Sequence, residues 1–273
     1  KITMSQLIIE GGAKLSGNVE IAGNKNAVLP CLAASIMGNS KSTFTNVPKI
    51  EDVKVSIELL KSLGCQVEWH DHTLTIDPSE ISTYELNPDM VAKLRASILY
   101  LGPLLSRFGH ARMRHPGGCI IGRRPVGTHF DAIAQLGGNV IANDEGNYQA
   151  DMVGEPMDEI FLDEVSVTAT ENAMCLAASQ EHTVKILGAA CEPHVVNLAK
   201  YLIAMGAKID GAGTNTITIT GTKELRGADH EISPDYIETA TFAIMAAATG
   251  SQITINKCEE GDFHMVGTYL KHF

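Results

Sequence analysis

The segment His115-Pro116-Gly117-Gly118-Cys119-Ile120-Ile121-Gly122-Arg123-Arg124-Pro125 holds the residues best suited to chemistry. Glycines on both sides of Cys119 give an open backbone, the setting of a loop rather than a core strand. Arg123 and Arg124 favour thiolate over thiol, which lowers the Cys119 pKa and makes it more reactive at neutral pH. Backbone amides in such a Gly-rich turn can also line a phosphate. The plainer alternative is an ordinary glycine turn carrying an incidental cysteine. A dinucleotide fingerprint is not on offer: Gly-x-Gly-x-x-Gly is absent, and no ribose-binding acid follows at the required distance.

A second chemical feature is Ala22-Gly23-Asn24-Lys25-Asn26-Ala27, which runs straight into an apolar, small-residue stretch. A Lys and an Asn at a helix start meet free N–H groups and the positive end of the helix dipole, which suits an anion. The commoner alternative is a plain cap with a solvated Lys. Arg95 opens a further apolar stretch in the same way. Around it, residues 91–130 contain Lys93, Arg95, Arg107, Arg112, Arg114, Arg123 and Arg124, and none of the chain's 32 acids. A run of bases is usually a solvated face; the sharper reading is a local anion pocket for a small phosphorylated or carboxylated substrate.

The elements that must position these groups repeat. Leu63-Gly64-Cys65-Gln66-Val67, Leu136-Gly137-Gly138-Asn139-Val140 and Met205-Gly206-Ala207-Lys208-Ile209 each read as the last turn of an amphipathic helix, a Gly stop and a strand, with Pro48, Pro125 and Pro193 near the three helix starts. Small-residue stretches Ala27 to Met37, Arg95 to Phe108, Thr170 to Ser179 and Ile237 to Thr249 are nearly apolar all round, as buried helices are. Short β-branched strands follow at Thr43 to Val47, Val184 to Leu187 and Ile253 to Asn256, and Thr216 to Thr220 alternates like a half-exposed strand. The unit is buried helix, strand, outer helix, strand, strand, with a period of about 70 residues. Three full copies and the opening of a fourth near Pro234 are present, and Leu7 to Ile21 reads as strands that belong with the fourth. A solenoid is disfavoured because its usual repeat is ~20–50 residues.

Composition closes off other classes. With 44% apolar and 5% aromatic residues among 273, the core is aliphatic and rich in alanine. The net charge of −11 argues against nucleic acid as a partner. No run approaches ~18 apolar residues, and Met4 is a plausible start with no leader pattern behind it, so neither a membrane partner nor secretion is expected. Of six Cys, five lie in apolar stretches and show no metal-ligand spacing, leaving Cys119 as the exception.

Gly23-Asn24-Lys25-Asn26-Ala27-x-Leu29-Pro30, Leu94-Arg95-Ala96-Ser97-Ile98, Gly117-Gly118-Cys119-x-Ile121-Gly122-x-Arg124-Pro125-Val126 and Pro234-Asp235-x-Ile237-Glu238-Thr239 occur in order. Together they resemble the UDP-N-acetylglucosamine 1-carboxyvinyltransferase family of enolpyruvyl transferases, from about Met4 to Phe273. The resemblance implies an α/β (α+β) fold of the EPSP-synthase type: inside-out α/β barrels of three repeated units, two to a protein, with a cleft between them. Residues 23–233 would be the complete first domain, 1–22 strands of the second, and 234–273 the start of a truncated second domain.

It also implies the reaction, in which the sugar 3′-hydroxyl adds to phosphoenolpyruvate and phosphate leaves. This is the first committed step of peptidoglycan precursor synthesis, a cytoplasmic step tied to cell wall biogenesis, cell shape and the division cycle. By similarity Cys119 is the general acid. Lys25, Asn26 and Arg124 match positions on phosphoenolpyruvate or phosphate. Arg95, Arg124, Pro125, Val126, Gly127, Thr128, Ser166 and Val167 match the nucleotide-sugar side. Both substrates are small molecules, and the resemblance implies neither cofactor nor metal. Four positions, in three places, depart from the family pattern. Gly127-Thr128-His129 stands where many relatives have Asp-Leu-His, Glu164 where some place a Lys, and Thr168 where Gly is frequent. Family members run longer, so the aspartate base is expected beyond Phe273 and the 273-residue chain alone is expected to be inactive. The alternatives are a catalytically inactive nucleotide-sugar-binding fragment and 3-phosphoshikimate 1-carboxyvinyltransferase, against which the Cys loop argues.

Cys119 should be the thiol that reacts fast with a phosphonate epoxide mimicking phosphoenolpyruvate, such as fosfomycin. Peptide mapping after labelling checks this, and primary modification at any of the other five cysteines contradicts it.

Overall fold

In the computed structural model, which describes residues 7–118 and 125–272, each of the three glycine stops ends a helix. Glu51–Leu63 stops at Gly64 (φ +107°), Gly127–Gln135 runs through Leu136 to Gly137 (φ +87°), and Pro193–Met205 stops at Gly206 (φ +124°). These backbone angles belong to the left-handed region, which a Cβ disfavours, so the repeat keeps glycine for conformational reasons. Of the three prolines only Pro193 occupies the first turn of its helix; Pro48 and Pro125 precede theirs.

Each helix feeds a hairpin, and each hairpin joins the strand that precedes the helix. Gln66–His70 pairs with Thr73–Asp77, which pairs with Ser42–Thr45, and Asp229–Glu231 adds in parallel to the last. Lys208–Asp210, Thr216–Thr220 and Thr183–Leu187 repeat that order, with Glu159–Phe161 added in parallel. Gly138–Ala142, Asn147–Met152 and His110–Arg114 form the third sheet, and a single parallel bridge from Glu85 to Arg112 stands where the fourth strand would be. Ile217 and Ile219 are fully buried while their threonine neighbours are not, as the alternation predicts.

The three small-residue stretches sit in the middle. Lys25–Ala34 is buried from Ala27 onward and Val167–Ala178 from Ala169 onward. Arg95 to Phe108 is not one α-helix: Arg95–Tyr100 is 3₁₀ and only Leu101–Phe108 is α. Pro103 has no N–H, and the Gly102 N–H goes sideways to Asn172 Oδ1 at 2.8 Å, so the ladder cannot run unbroken through this stretch. A Cβ at Gly102 would lie 2.6 Å from Asn172 O; glycine is what lets these two segments touch. Residues 23–233 thus make an inside-out α/β barrel of three repeated units, with central helices surrounded by sheets.

The segments before Gly23 and after Ser233 form a second compact unit. Ser16–Glu20 pairs in parallel with Gln252–Asn256, and Tyr236–Thr249 is capped by Asp235, which accepts from the Ile237 and Glu238 N–H groups. Two expectations fail in this unit. Only Ser16–Glu20 of Leu7 to Ile21 is a strand, and Leu7, Ile8 and Ile9 are exposed. The helix expected to be buried has only Thr239 and Ala243 buried, because no hairpin of its own repeat packs on it among the described residues.

Burial also sorts the cysteines. Cys31, Cys65 and Cys175 are buried as expected, but Cys191 and Cys258 are exposed, since each lies in the loop after a strand rather than within the apolar run beside it. Burial pushes the Cys65 thiol up to about 12 and raises those of Cys31 and Cys175 as well. These three are inert as nucleophiles.

Arg107 ties the barrel together. Its guanidinium donates to Ile36 O at 2.7 Å, Gly38 O at 2.9 Å and Pro78 O at 2.9 Å, fastening the end of one central helix and a hairpin exit to another. Arg107→Ala should destabilise the chain by about 2–3 kcal/mol, since charge-assisted hydrogen bonds to half-buried carbonyls are lost. Urea denaturation measures it, and a loss below about 0.5 kcal/mol contradicts the clamp.

Candidate functional site

The central segments all begin at one place, and a cleft of about 620 Å³ lies there. Lys25 and Asn26 open the first, Arg95 the second, and Ser166 caps the third; all four line the cleft. Helix starts present N–H groups without intrahelical partners, so their convergence makes a positive site even before side-chain charge is added. The side-chain oxygen of Asn24 accepts from the Asn26 and Ala27 N–H groups, fixing the first start. That of Ser166 accepts from Ala169 N–H, fixing the third.

Lys25 is not a free ammonium: its Nζ is 2.7 Å from Asp52 Oδ2 on the rim. Arg95 donates to Pro116 O at 3.2 Å. Gly117 and Gly118 donate to Val91 O and Ala92 O, both at 3.0 Å, and a Cβ on Gly117 would lie 2.0 Å from Ala92 O. These two glycines therefore serve a close backbone approach, not the open loop expected of them. They hold the chain leading to Cys119 against the loop that carries Arg95. Cys119, Arg123 and Arg124, with Ile120, Ile121 and Gly122, lie outside the described residues.

The five described bases of residues 91–130 do not form one patch. Lys93 and Arg95 line the cleft, Arg107 is the clamp described above, and Arg112, 5.6 Å over the Tyr84 ring, lines a separate pocket with Arg114. The expected nucleotide-sugar residues are divided too. Pro125 lines the cleft with Ser166, but Val126 is buried and Val167 packs against the core. Thr128 donates to Asp163 Oδ1 at 3.0 Å, and Gly127 begins its helix. Glu164 is exposed on the rim, so a carboxylate does face this cleft.

Four further groups line the cleft: Asp52 and His129, to which the sequence reading gives no role, and Glu164 and Thr168, which it notes only as departures. His129 is 4% exposed and bridges Thr168 Oγ1 at 3.0 Å and the Asn172 amide at 2.9 Å. The available signal was Glu171-Asn172, a polar pair inside a stretch read as apolar all round. Both are buried, and burial, reinforced by Glu192, raises the Glu171 carboxyl well above the usual range. Among the described residues no group of three or more His, Cys, Asp or Glu could hold a metal, and no helix is long and apolar enough to cross a membrane.

Burial, and then the charge of Arg95, lowers the His129 ring from 6.5 to about 4. The unfolded chain protonates this ring near pH 6.5 and the folded chain only near pH 4. Its contribution to stability is therefore complete above about pH 6.5 and is lost as pH falls toward 4. Glu171, whose carboxyl moves upward, works in the opposite sense above its ordinary range. Between pH 7 and pH 5 the wild type should lose roughly 2 kcal/mol more stability than His129→Gln does. Denaturant melts at the two pH values compare them, and equal losses would mean the ring is not held neutral.

The family description of EPSP synthase (3-phosphoshikimate 1-carboxyvinyltransferase) matches residues 9–269. A Treponema denticola protein named UDP-N-acetylglucosamine 1-carboxyvinyltransferase is 43% identical over 261 residues, covering 95% of this chain and 61% of that protein. One of the same name from Shewanella amazonensis is 44% identical over 260 residues, covering 95% and 61%. The chain thus spans about 60% of the length of these relatives. Among solved structures, the enolpyruvyl transferase NikO from Streptomyces tendae superposes with a TM-score of 0.75 at 25% identity, over 86% of this chain and 55% of that one. EPSP synthase from Acinetobacter baumannii superposes with a TM-score of 0.74 over 97% and 61%, and at 16% identity this likeness speaks for the fold alone. Three-unit barrel, convergent helix starts and matched length agree: the chain belongs to the EPSP synthase (3-phosphoshikimate 1-carboxyvinyltransferase) family.

Proposed function

We propose that this chain carries the substrate-binding wall of an enzyme that transfers the enolpyruvyl group of phosphoenolpyruvate to the 3′-hydroxyl of UDP-N-acetylglucosamine, releasing phosphate. The observation that carries the reading is the convergence of Lys25, Asn26, Arg95 and Ser166 at three helix starts in one cleft. The named relatives, at 43–44% identity over more than nine-tenths of this chain, support that choice of substrates. On this reading residues 23–233 are the first domain, with 1–22 and 234–273 belonging to a second. The process served is peptidoglycan precursor synthesis in the cytoplasm.

Fixed cations and helix N–H groups stabilise charge that builds on the carboxylate and the departing phosphate. Lys25, Asn26 and Arg124 face phosphoenolpyruvate in this scheme. Arg95, Arg124, Pro125, Gly127, Thr128 and Ser166 face the nucleotide sugar, with buried Val126 and core-packed Val167 backing that wall. Cys119 delivers a proton to the methylene carbon, which its arginine neighbours prepare by tuning the thiol. The ion pair with Asp52 holds Lys25 in one rotamer at the cleft mouth, ready for a second anion.

Calorimetric titration of the 273-residue chain separates this from the shikimate alternative. UDP-N-acetylglucosamine should bind and shikimate 3-phosphate should not. Arg95→Ala should weaken binding about 10- to 100-fold, the worth of one or two charge-assisted hydrogen bonds. Binding of shikimate 3-phosphate in preference to the nucleotide sugar would overturn the assignment.

A further inference from the structure

Thr168 stands at the second position of the helix Val167–Ala178, on the cleft wall, with its hydroxyl against His129. Which of these two groups donates is decided by what lies behind them. Asn172 sits between backbone groups of fixed polarity. Its Oδ1 accepts from Gly102 N–H at 2.8 Å, and its Nδ2 donates to Ile98 O at 2.9 Å. Flipping the amide would set donor against donor and acceptor against acceptor, so its two backbone partners fix the orientation. The second Nδ2 proton then points at His129 Nδ1, 2.9 Å away, and that nitrogen must be the acceptor. A neutral imidazole with Nδ1 unprotonated carries its proton on Nε2. Nε2 therefore donates to Thr168 Oγ1 across 3.0 Å.

The consequence reaches the cleft. With a lone pair of Oγ1 occupied by His129, the Thr168 hydroxyl proton is directed away from the ring, and among the described residues no acceptor takes it. We infer that Gly102, Asn172, His129 and Thr168 form a one-directional hydrogen-bond relay that presents the Thr168 O–H as a fixed donor to a phosphoryl oxygen of the nucleotide-sugar diphosphate. His129 and Asn172 are positioning residues in this scheme; Thr168 alone touches the ligand. Protonating His129 would turn Nδ1 into a donor facing the Asn172 N–H, so the relay also accounts for a ring that stays neutral. The ligand half of the inference rests on the function proposed above, and the wiring half does not.

Side-chain ¹H–¹⁵N correlation spectra of the full 273-residue chain test the wiring. His129 should show the Nε2–H tautomer from pH 5 to pH 8, and Thr168→Val should shift its Nε2 resonance while Thr168→Ser leaves it nearly in place. An Nδ1–H tautomer, or a charged ring in that range, overturns the relay. Titration with UDP-N-acetylglucosamine tests the donor. Thr168→Val should bind about tenfold more weakly and Thr168→Ser within about twofold of wild type, the scale of one hydrogen bond to a charged acceptor. Equal affinity of Thr168→Val and wild type overturns the donor while leaving the proposed function standing. Failure of wild type and Thr168→Ser alike to bind the nucleotide sugar, in a sample whose His129 spectrum is as expected, overturns the substrate assignment and the ligand half with it.

Discussion

The close contact between the second and third central segments is the constraint on which the barrel depends. Asn172 bonds at once to Ile98 O and Gly102 N–H, and Gly102 has no room for a side chain. An unpaired amide in that position would cost on the order of 1–3 kcal/mol per lost partner, so the polar bonds and the glycine must be kept together. The contact breaks the helical ladder of residues 95–108 into a 3₁₀ segment followed by an α segment. Arg95, at the start of the 3₁₀ segment, lines the cleft that Lys25 and Ser166 also line.

Threefold repetition explains why the site is where it is. Each unit buries a central segment, and those of the first and third units are apolar nearly all round, so each must be covered by sheet and outer helix on its remaining sides. Packing three such helices with the same sense leaves their starts together at one end, where N–H groups lack partners. An acidic protein of net charge −11 can in this way hold a locally positive cleft without a large basic surface. The barrel supplies the field, and Lys93 and Arg95 sharpen it.

Most of this architecture was legible because its signals are local. Gly64, Gly137 and Gly206 mark helix ends through a backbone requirement that no neighbour can override, and the threonine–isoleucine alternation of residues 216–220 names its buried face. Lys25, Asn26 and Arg95 were legible for the same reason, since each sits at the head of an apolar run. What could not be read depends on contacts across the repeats. Arg107, grouped by sequence with an anion pocket, spends its charge on three carbonyls from distant segments. Gly117 looks like a flexible flank of Cys119 until Ala92 O is found where its side chain would be. The Tyr236–Thr249 helix has the composition of a core helix, yet composition says nothing about whether the elements that would cover it are at hand.

Charge on the cleft rim carries the argument one step further. Asp52 neutralises Lys25 at 2.7 Å, and Glu164 adds a second carboxylate to the rim. In a cleft built only on Coulomb attraction, these two acids would cancel much of the gain from Lys25 and Arg95. Attraction from helix starts is different, because it acts over about one turn and is strongest for a group that touches the N–H donors directly. A ligand oxygen seated at the start of Val167–Ala178 meets such donors and the Thr168 hydroxyl at contact distance, while Glu164 remains exposed on the rim, where water screens it. Short-range, oriented donors thus let the site tolerate acids that a purely charge-based site would not.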